Sequence, residues 1–355
     1  MMKKTSEKSL FSATPDISMS HRNFPISVIV ITYNEERNIV ECMRSILAQD
    51  YAGPLELIII DDYRTTDATK ALVRAYQKKH PNLKYYTDTT GSQSYSRNLG
   101  IKKSMYPFIA FTDADCVVPK DWLTILARKW REHSTHVGKT LAGVGGANIL
   151  YMKKSTPFSQ AMNITFGSFL GSLGSIQAKP ATSDAAVFSL SCTNVLYDKS
   201  KVIAAGMFPA YKEHLGDDWL LGVKIRQKGY VLVGVKESFV WHNYRSTPRK
   251  FWKNMILYGS VRTFYIKKYF WYNSPKYFLP LGFIIGMILP LLFFIHPLFL
   301  LPLLYFPFIL LYSIILTARQ KQLRRAGNVF VVFIIMHFGF SIGELKGIHW
   351  IFRKI

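Results

Sequence analysis

Cysteine is scarce: the 355 residues contain three, Cys42, Cys116 and Cys192. They are odd in number, far apart and never spaced as CxxC. That excludes a disulfide framework and a zinc site of the usual spacing, and a reducing, cytosolic face is expected. Acid is scarce too. Lys and Arg number 45 against 22 Asp and Glu, a formal net charge of +23. The shortage is greatest towards the end, where residues 245–355 hold 15 Lys/Arg and one acid, Glu344. That segment is also the most apolar, and positive charge beside hydrophobicity points to anionic lipids at a membrane surface. No basic motif of a nucleic-acid reader occurs and the charge flanks apolar runs, so no nucleic acid is expected as partner. Residues 1–24 start with lysines but lack the apolar stretch of a signal peptide, and are expected to form a loose tail. No internal repeat or low-complexity segment is present.

Residues 277–318 contain no Asp, Glu, Lys or Arg. One bilayer crossing takes about 20 residues, so this run predicts a hairpin of two crossings with a turn near His296-Pro297. Lys276 precedes it and a basic stretch, Arg319 to Arg325, follows it, which puts both ends on the cytoplasmic side. A third apolar stretch, in residues 328–352, is short before it meets Glu344 and Lys346. It predicts a re-entrant or interfacial segment, with a third span as the alternative. Residues 246–276 mix Trp, Tyr and Phe with Lys and Arg, the pattern of an amphipathic helix lying in the membrane interface. Residues 25–245 form the remaining, soluble domain.

That domain alternates. PISVIVITYN, LELIIIDD, LKYYTD and PFIAFTDAD read as strands, and the segments between them carry helical spacing, with Ile39, Met43, Ile46 and Leu47 as an example. Residues 119–132 read as a helix with Pro119 in its first turn. The fold class predicted is α/β, a mostly parallel sheet with helices on both faces. Further on, KTLAGVGGANILYM and VFSLSCTNVLYD read as strands, with an amphipathic helix between them from STPFSQ onwards. LGDDWLLGVKIRQKGY is a helix opened by Asp217 and Asp218 and closed by Gly229, and YVLVGVKESFVWH is a last strand.

Ligands of such sheets bind beyond the carboxyl ends of the strands. Polar residues collect there: Asn34 and Glu35 after the first strand, Asp61 and Asp62 after the second, Asp113 and Asp115 after the fourth. Turn chemistry explains one such site and explains three poorly. An Asp-x-Asp at a strand end suits a hard divalent cation, Mn2+ or Mg2+, held by one or two carboxylates and substrate phosphates. Such an ion neutralises charge on a leaving diphosphate.

The ordered set YNEE, DDxxTTD, GSQSYSRNLG, TDAD and GDDWLLGVKIRQKGY resembles the family-2 glycosyltransferases with the GT-A nucleotide-sugar fold, over about residues 26–245. The resemblance implies an inverting, metal-dependent glycosyltransferase with a nucleotide-sugar donor, UDP-linked by preference. It implies that Thr32, Tyr33, Asn34, Glu35, Asp61, Asp62, Arg97 and Asp113 line the nucleotide site. Asp115 would ligate the metal, with Asp113 and His242 as further ligands. Arg64 stands where family members carry a small residue, and could reach a phosphate instead. Asp217-Asp218 matches the family's acidic pair, so Asp218 is the expected general base, taking a proton from the acceptor hydroxyl. Asp217, Trp219, Cys192, Thr193 and Asn194 fall on the acceptor side, Asp217 with a helix-capping role as its alternative. The Gln-x-x-Arg-Trp motif of the processive synthases is absent, which favours addition of a single sugar. The expected acceptor is lipid-linked or a glycan, at the cytoplasmic face of the cell membrane. The alternatives are a polyprenyl-phosphate sugar synthase and a non-catalytic membrane scaffold. Oligomeric state is left open.

Overall fold

The computed structural model describes residues 23–172, 182–209, 216–243, 247–268 and 279–352. Its first half is the predicted alternation: β1 (Ile26–Thr32), α1 (Ile39–Leu47), β2 (Leu55–Asp62), α2 (Thr69–Gln77), β3 (Leu83–Asp88), α3 (Gln93–Lys103) and β4 (Phe108–Asp113). A short β5 (Cys116–Val117) and α4 (Trp122–Val137) follow. Then come β6 (Leu141–Leu150), α5 (Pro157–Phe166), α6 (Phe169–Ser172), β7 (Ala185–Val187), β8 (Val195–Asp198), α7 (Lys199–Ala204), α8 (Asp217–Gln227) and β9 (Val231–His242). Helices α9 (Pro248–Lys268), α10 (Leu279–Ile288), α11 (Tyr305–Arg319) and α12 (Ala326–Phe352) complete the chain.

The strands form one nine-stranded sheet in the order β3-β2-β1-β4-β8-β6-β9-β5, with β7 on β9. β1 to β4 run parallel, β8 runs antiparallel to β4 and β6, and β6 and β9 are parallel. The central strands carry β-branched and aliphatic residues on both faces, as a doubly covered sheet requires. One face packs Val28, Val30, Leu57, Ile59 and Trp122. The other packs Ile29, Ile58, Ile60, Phe111 and Tyr197.

Three local expectations change. Pro119 does not open α4; its carbonyl accepts the Trp122 N–H (3.1 Å), and the helix starts there. VFSLSCTNVLYD is strand only at Val187, the last residue of β7, and at its end, β8. Ser191 and Thr193 share a hydroxyl contact (2.9 Å) and the Asn194 N–H donates to the Ser191 carbonyl (3.2 Å). Such side-chain and turn bonds compete with a ladder. The helix from STPFSQ is well begun, with a reciprocal Thr156–Ser159 capping box and Pro157 in the first turn. It breaks at Gly167, and its predicted tail from residue 173 to 176 lies outside the described residues.

The apolar end also differs from the predicted hairpin. Among the described residues, α10 and the tight turn after it run from Leu279 to Leu292, shorter than a crossing. Pro290 and Pro297 interrupt the run, because proline supplies no N–H to continue a helix. Among the described residues, two helices are long and apolar enough to cross a membrane, Pro297–Arg319 and Leu323–Ile348. The third segment, expected to be short, is therefore one continuous helix of 27 residues. Glu344 fits into it because that turn is buried against α9, not presented outwards.

α9 and α12 touch backbone to backbone. Gly339, Gly343 and Gly347 recur every four residues along α12, opposite Gly259 of α9. A Cβ on Gly343 would lie 2.2 Å from the Ile256 carbonyl oxygen, and one on Gly259 would lie 2.0 Å from that of Phe340. Ser260 Oγ donates to the Gly343 carbonyl (3.0 Å) and Thr263 Oγ1 to that of Glu344 (3.0 Å). Small residues and hydroxyls of this kind hold apolar helices together where burial alone gives little preference. Phe251 and Met255 of α9 also join Ala161, Met162, Val332 and Phe333 in a third core. The helix leaving β9 is thus clamped to α5 and α12. Gly343→Leu is expected to cost about 1–3 kcal/mol by overpacking and to lower the thermal midpoint of the detergent-solubilised chain. Gly282→Leu, at a position with open space around it, is expected to leave that midpoint unchanged.

Candidate active site

The parallel register levels the strand ends. Thr32 sits opposite Asp61, and Ile31 opposite Asp113. The three strand-end clusters read from the sequence therefore share one edge. Thr32 is buried there, and its Oγ1 has no hydrogen-bond partner. Tyr33 is 52% exposed. Asn34 adopts a positive φ of 52°, a region asparagine tolerates better than most. Its Oδ1 accepts the backbone N–H of Thr66 (2.9 Å) and of Asp67 (3.4 Å). Its side-chain oxygen thus braces the neighbouring loop. The Glu35 carboxylate accepts from Asn38 Nδ2 (2.9 Å), and the Glu35 N–H donates to Thr69 Oγ1 (2.8 Å).

Asp61 is buried and accepts from Thr65 Oγ1 and Tyr85 OH, each at 2.7 Å. Its burial raises its pKa above the usual carboxylate value. Asp62 is held the other way. Arg64 donates to both its oxygens, Nε at 2.9 Å and Nη2 at 2.6 Å, and this ion pair lowers the Asp62 pKa. Arg64 also donates to the Gly91 carbonyl (2.7 Å) and lies over the Tyr33 ring at 5.5 Å. The unusual arginine of this loop is therefore committed to Asp62 and Gly91, not held out towards a phosphate. It replaces a bare carboxylate with a neutralised, aromatic-backed pair.

Arg97 lies on α3 with its side chain 7% exposed. It donates to Asp217 Oδ2 at the start of α8 and stands 3.8 Å from Asp113 at the end of β4. Ser94 Oγ adds a bond to the same Asp217 oxygen (3.2 Å). The surface ion pair that a lone arginine could have made is here a buried one, joining three elements. Burial raises the Asp113 pKa, with Arg97 opposing the shift. Asp217 is not the helix cap; Gly216 is, with φ of 80°, and Asp217 occupies the first helical position.

Asp115 follows in the turn after β4. Its Oδ1 is 3.3 Å from His242 Nε2 at the end of β9. β5 pairs with β9 in a register that sets Cys116 opposite His242, which brings the strand ends together. Asp115, Cys116 and His242 offer ligand atoms all within 4.8 Å of one another, and Asp113 is not part of that group. Burial opposes a charge on His242, but the Asp115 carboxylate outweighs it and holds the imidazole pKa above its ordinary value. Burial pushes the Cys116 thiol well up, so it stays protonated. The oxygen and nitrogen of Asp115 and His242 fit a Mn2+ or Mg2+ ion, and a neutral thiol does not. The Asp-x-Asp pair therefore divides: Asp115 joins His242, and Asp113 faces Arg97.

Asp218 begins α8 beside Asp217. Its own Oδ1 accepts the Trp219 N–H at 2.7 Å. Desolvation, then the neighbouring Asp217, push its pKa up to about 6. Trp219 stacks on Phe188 with ring centroids 5.3 Å apart. Cys192 and Thr193 are buried, and Asn148 Nδ2 donates to Thr193 Oγ1 (3.2 Å). Asn194 is fully buried and corrects an expectation. It accepts from Trp122 Nε1 (2.8 Å) and Ser238 Oγ (2.9 Å) and donates to the Ala147 carbonyl (3.0 Å). Its side chain ties α4, β6 and β9 together and has no face left for an acceptor. One residue was missed in the sequence: Tyr258 of α9, whose phenol feels the charges of Asp218, Asp113, Asp217 and Arg97.

A parallel half-sheet with acids collected at its carboxyl edge is the GT-A fold. The fold is shared with a mannosyltransferase from Pyrobaculum calidifontis, solved with GDP-Man and Mn2+, at a TM-score of 0.53 and 18% identity over 93% of this chain and 90% of that one. Residues 27–202 match the family described as "Glycosyl transferase family 2". The chain is a family-2 glycosyltransferase. Over 271 residues it is 27% identical to a Methanococcus voltae enzyme named as a dolichyl N-acetyl-alpha-D-glucosaminyl phosphate 3-beta-D-2,3-diacetamido-2,3-dideoxy-beta-D-glucuronosyltransferase, covering 73% of this chain and 78% of that one. It is 25% identical to the poly-beta-1,6-N-acetyl-D-glucosamine synthase of Staphylococcus aureus over 68% of this chain, and spans 55% of that enzyme's length.

Arg97→Met is expected to destabilise the chain by about 3–5 kcal/mol, because it strands the buried Asp217 carboxylate. Adding Asp217→Asn is expected to restore part of the loss. Urea unfolding of the detergent-solubilised single and double variants measures both.

Proposed function

We propose that the chain transfers one sugar, with inversion, from a nucleoside-diphosphate donor, UDP-linked by preference, to a lipid-linked glycan acceptor at the cytoplasmic face of the membrane. The observation that carries this reading is the pairing of two unlike acidic sites on one edge. Asp115 with His242 is suited to a cation, and Asp218 is a carboxylate with its pKa raised to about 6. When bound, a divalent cation would neutralise charge on the departing diphosphate. Asp218 takes the proton of the acceptor hydroxyl as that oxygen bonds to the anomeric carbon, while the bond to the diphosphate oxygen breaks on the opposite face. A base with a raised pKa has more affinity for that proton than an ordinary carboxylate, and is still ionised at neutral pH. Asp61, Asp62 with Arg64, and Tyr33 line the side given to base and ribose. Arg97 holds Asp217 and thereby the start of the helix that presents Asp218.

The acceptor side rests on two supports. The Methanococcus voltae relative is named for a lipid-linked sugar acceptor, and the two long apolar helices would hold the domain beside lipid headgroups. The acceptor named for that relative already bears a sugar, which favours a lipid-linked glycan over a bare polyprenyl phosphate.

Calorimetric binding of UDP and GDP to the detergent-purified chain tests the reading. Mn2+-dependent binding of UDP, lost in Asp115→Asn, is the expected result. Preference for GDP would reassign the donor. Binding of neither by folded protein would overturn the proposal. Asp218→Asn is expected to keep nucleotide affinity and lose at least about 100-fold in transfer. The transfer rate of the parent is expected to fall as pH drops below about 6, tenfold per unit, because protonation removes the base.

A further inference from the structure

Arg64 takes no part in the transfer step, yet it is the cation most firmly fixed at the open edge of the sheet. Its guanidinium lies across the ends of three neighbouring strands, in the sheet order β3-β2-β1. Beyond β3, the Gly91 carbonyl accepts from Nη2 (2.7 Å). At the end of β2, Asp62 accepts from Nε (2.9 Å) and from Nη2 (2.6 Å). Beyond β1, the Tyr33 ring lies 5.5 Å from Cζ, with Tyr63 at 5.9 Å. Gly91 closes over the group from the loop: a Cβ there would lie 2.6 Å from Cζ and 2.8 Å from both Nε and Nη2. The side-chain hydrogen bonds and the Gly91 contact all fall on one edge, Nε–Cζ–Nη2. A guanidinium is planar, so Nη1 occupies the corner turned away from Asp62. Among the described residues, the two N–H groups of Nη1 have no hydrogen-bond partner. The Arg64 side chain is 50% exposed and that of Asp62 only 10%. The carboxylate is covered, and the cation is what the edge presents.

Position along the edge decides what Arg64 meets. β2 and β4 flank β1, so Asp115, in the turn after β4, and Arg64 stand at opposite ends of a short row of strand ends. Between them Thr32 closes β1, buried, with no hydrogen-bond partner for its Oγ1. A nucleoside diphosphate laid along the row with its diphosphate at Asp115 has its base at Arg64. Tyr33 and Tyr63, both more than half exposed, supply flat faces beside it.

We propose that Arg64 selects the base of the donor: Nη1 donates to a ring carbonyl oxygen, so the site takes a keto base, uracil or guanine, and rejects cytosine and adenine. This rests on the transferase reading above. An arginine offers donors and no acceptor. Held at Nε and Nη2, the fork has no freedom to turn. Uracil O4 or guanine O6 accepts the remaining N–H groups. Cytosine and adenine carry an amino group at the matching place, and donor then faces donor. A site built to bond one polar group rejects an analogue that lacks it, because its own polar group is left unpaired. Asp62 and Gly91 are positioning groups. They hold the fork, and Gly91, with φ of 71° and no side chain, lets it lie against the loop.

The test uses the full chain in detergent with Mn2+. UDP, GDP, CDP, ADP and ribose 5-diphosphate, which has no base, compete against whichever of radiolabelled UDP or GDP the parent binds. The parent is expected to bind its keto nucleotide at least about tenfold more tightly than CDP or ADP. Arg64→Ser is expected to weaken that nucleotide by about tenfold or more, the range of one charge-assisted hydrogen bond. The same change is expected to leave ribose 5-diphosphate within about twofold and to shrink the preference over ADP in proportion. Arg64→Lys keeps the charge beside Asp62 but has no second arm, and is expected to show the same pattern should Arg64→Ser fail to fold. An equal loss for the keto nucleotide and for ribose 5-diphosphate would overturn this inference, by showing that Arg64 only shapes the loop or meets phosphate. Unchanged binding of the keto nucleotide by Arg64→Ser, or a parent that prefers CDP or ADP, would overturn it too, and each leaves the transferase reading standing. Binding of no nucleotide by the folded parent would overturn the transferase reading and this inference together.

Discussion

The site depends on a buried cation. Arg97 stands between Asp217 and Asp113, two carboxylates delivered by different elements. Without it, the end of β4 and the start of α8 would set like charges side by side in a desolvated pocket, which is among the most costly arrangements a fold can hold. With it, Asp217 is neutralised, the first turn of α8 is fixed, and Asp218 is left as the carboxylate whose proton affinity is raised. One guanidinium thus distinguishes the two members of a two-residue acidic motif, one ion-paired and one with raised proton affinity.

A second separation runs through the Asp-x-Asp motif. Asp113 closes a strand and turns to Arg97, while Asp115 sits in the turn beyond it and reaches His242 across the β5–β9 pairing. The short β5 matters for this reason: two residues of ladder draw the last strand's histidine beside the fourth strand's turn. Arg64 works similarly at the second strand, where it masks Asp62 and leaves Asp61 buried behind it. In each acidic pair, the two members take different partners.

The membrane-facing half is built on a different principle. The sheet is held by buried aliphatic side chains, whereas α9 and α12 are held by the absence of side chains. Gly259, Gly343 and Gly347 let the backbones meet, and Ser260 and Thr263 bond the carbonyls thus exposed.

Much of this was legible in the linear chain. Period-two and period-3.6 patterns located β1 to β4 and the helices between them, and polar residues placed after each strand located the site edge, because a parallel sheet puts all those ends together. The metal-suited Asp115, its partner His242 and the base candidate Asp218 could each be named from motif and order. What the sequence could not decide was which partner each group takes. Asn34 and Asn194 have the polarity of ligand contacts, but neighbouring backbone and core groups use their hydrogen bonds. Arg97 and Arg64 are cations whose nearest carboxylates come from other strands or from loop closure. The last apolar segment looked short because Glu344 interrupts it, yet packing against α9 shelters that residue and the helix continues. Tyr258 resembled any interfacial aromatic. Local periodicity and strand-end chemistry are properties of the chain and can be read from it. Pairing of charges, burial of polar atoms and the facing of a distant helix depend on which surfaces meet, and only the tertiary structure decides that.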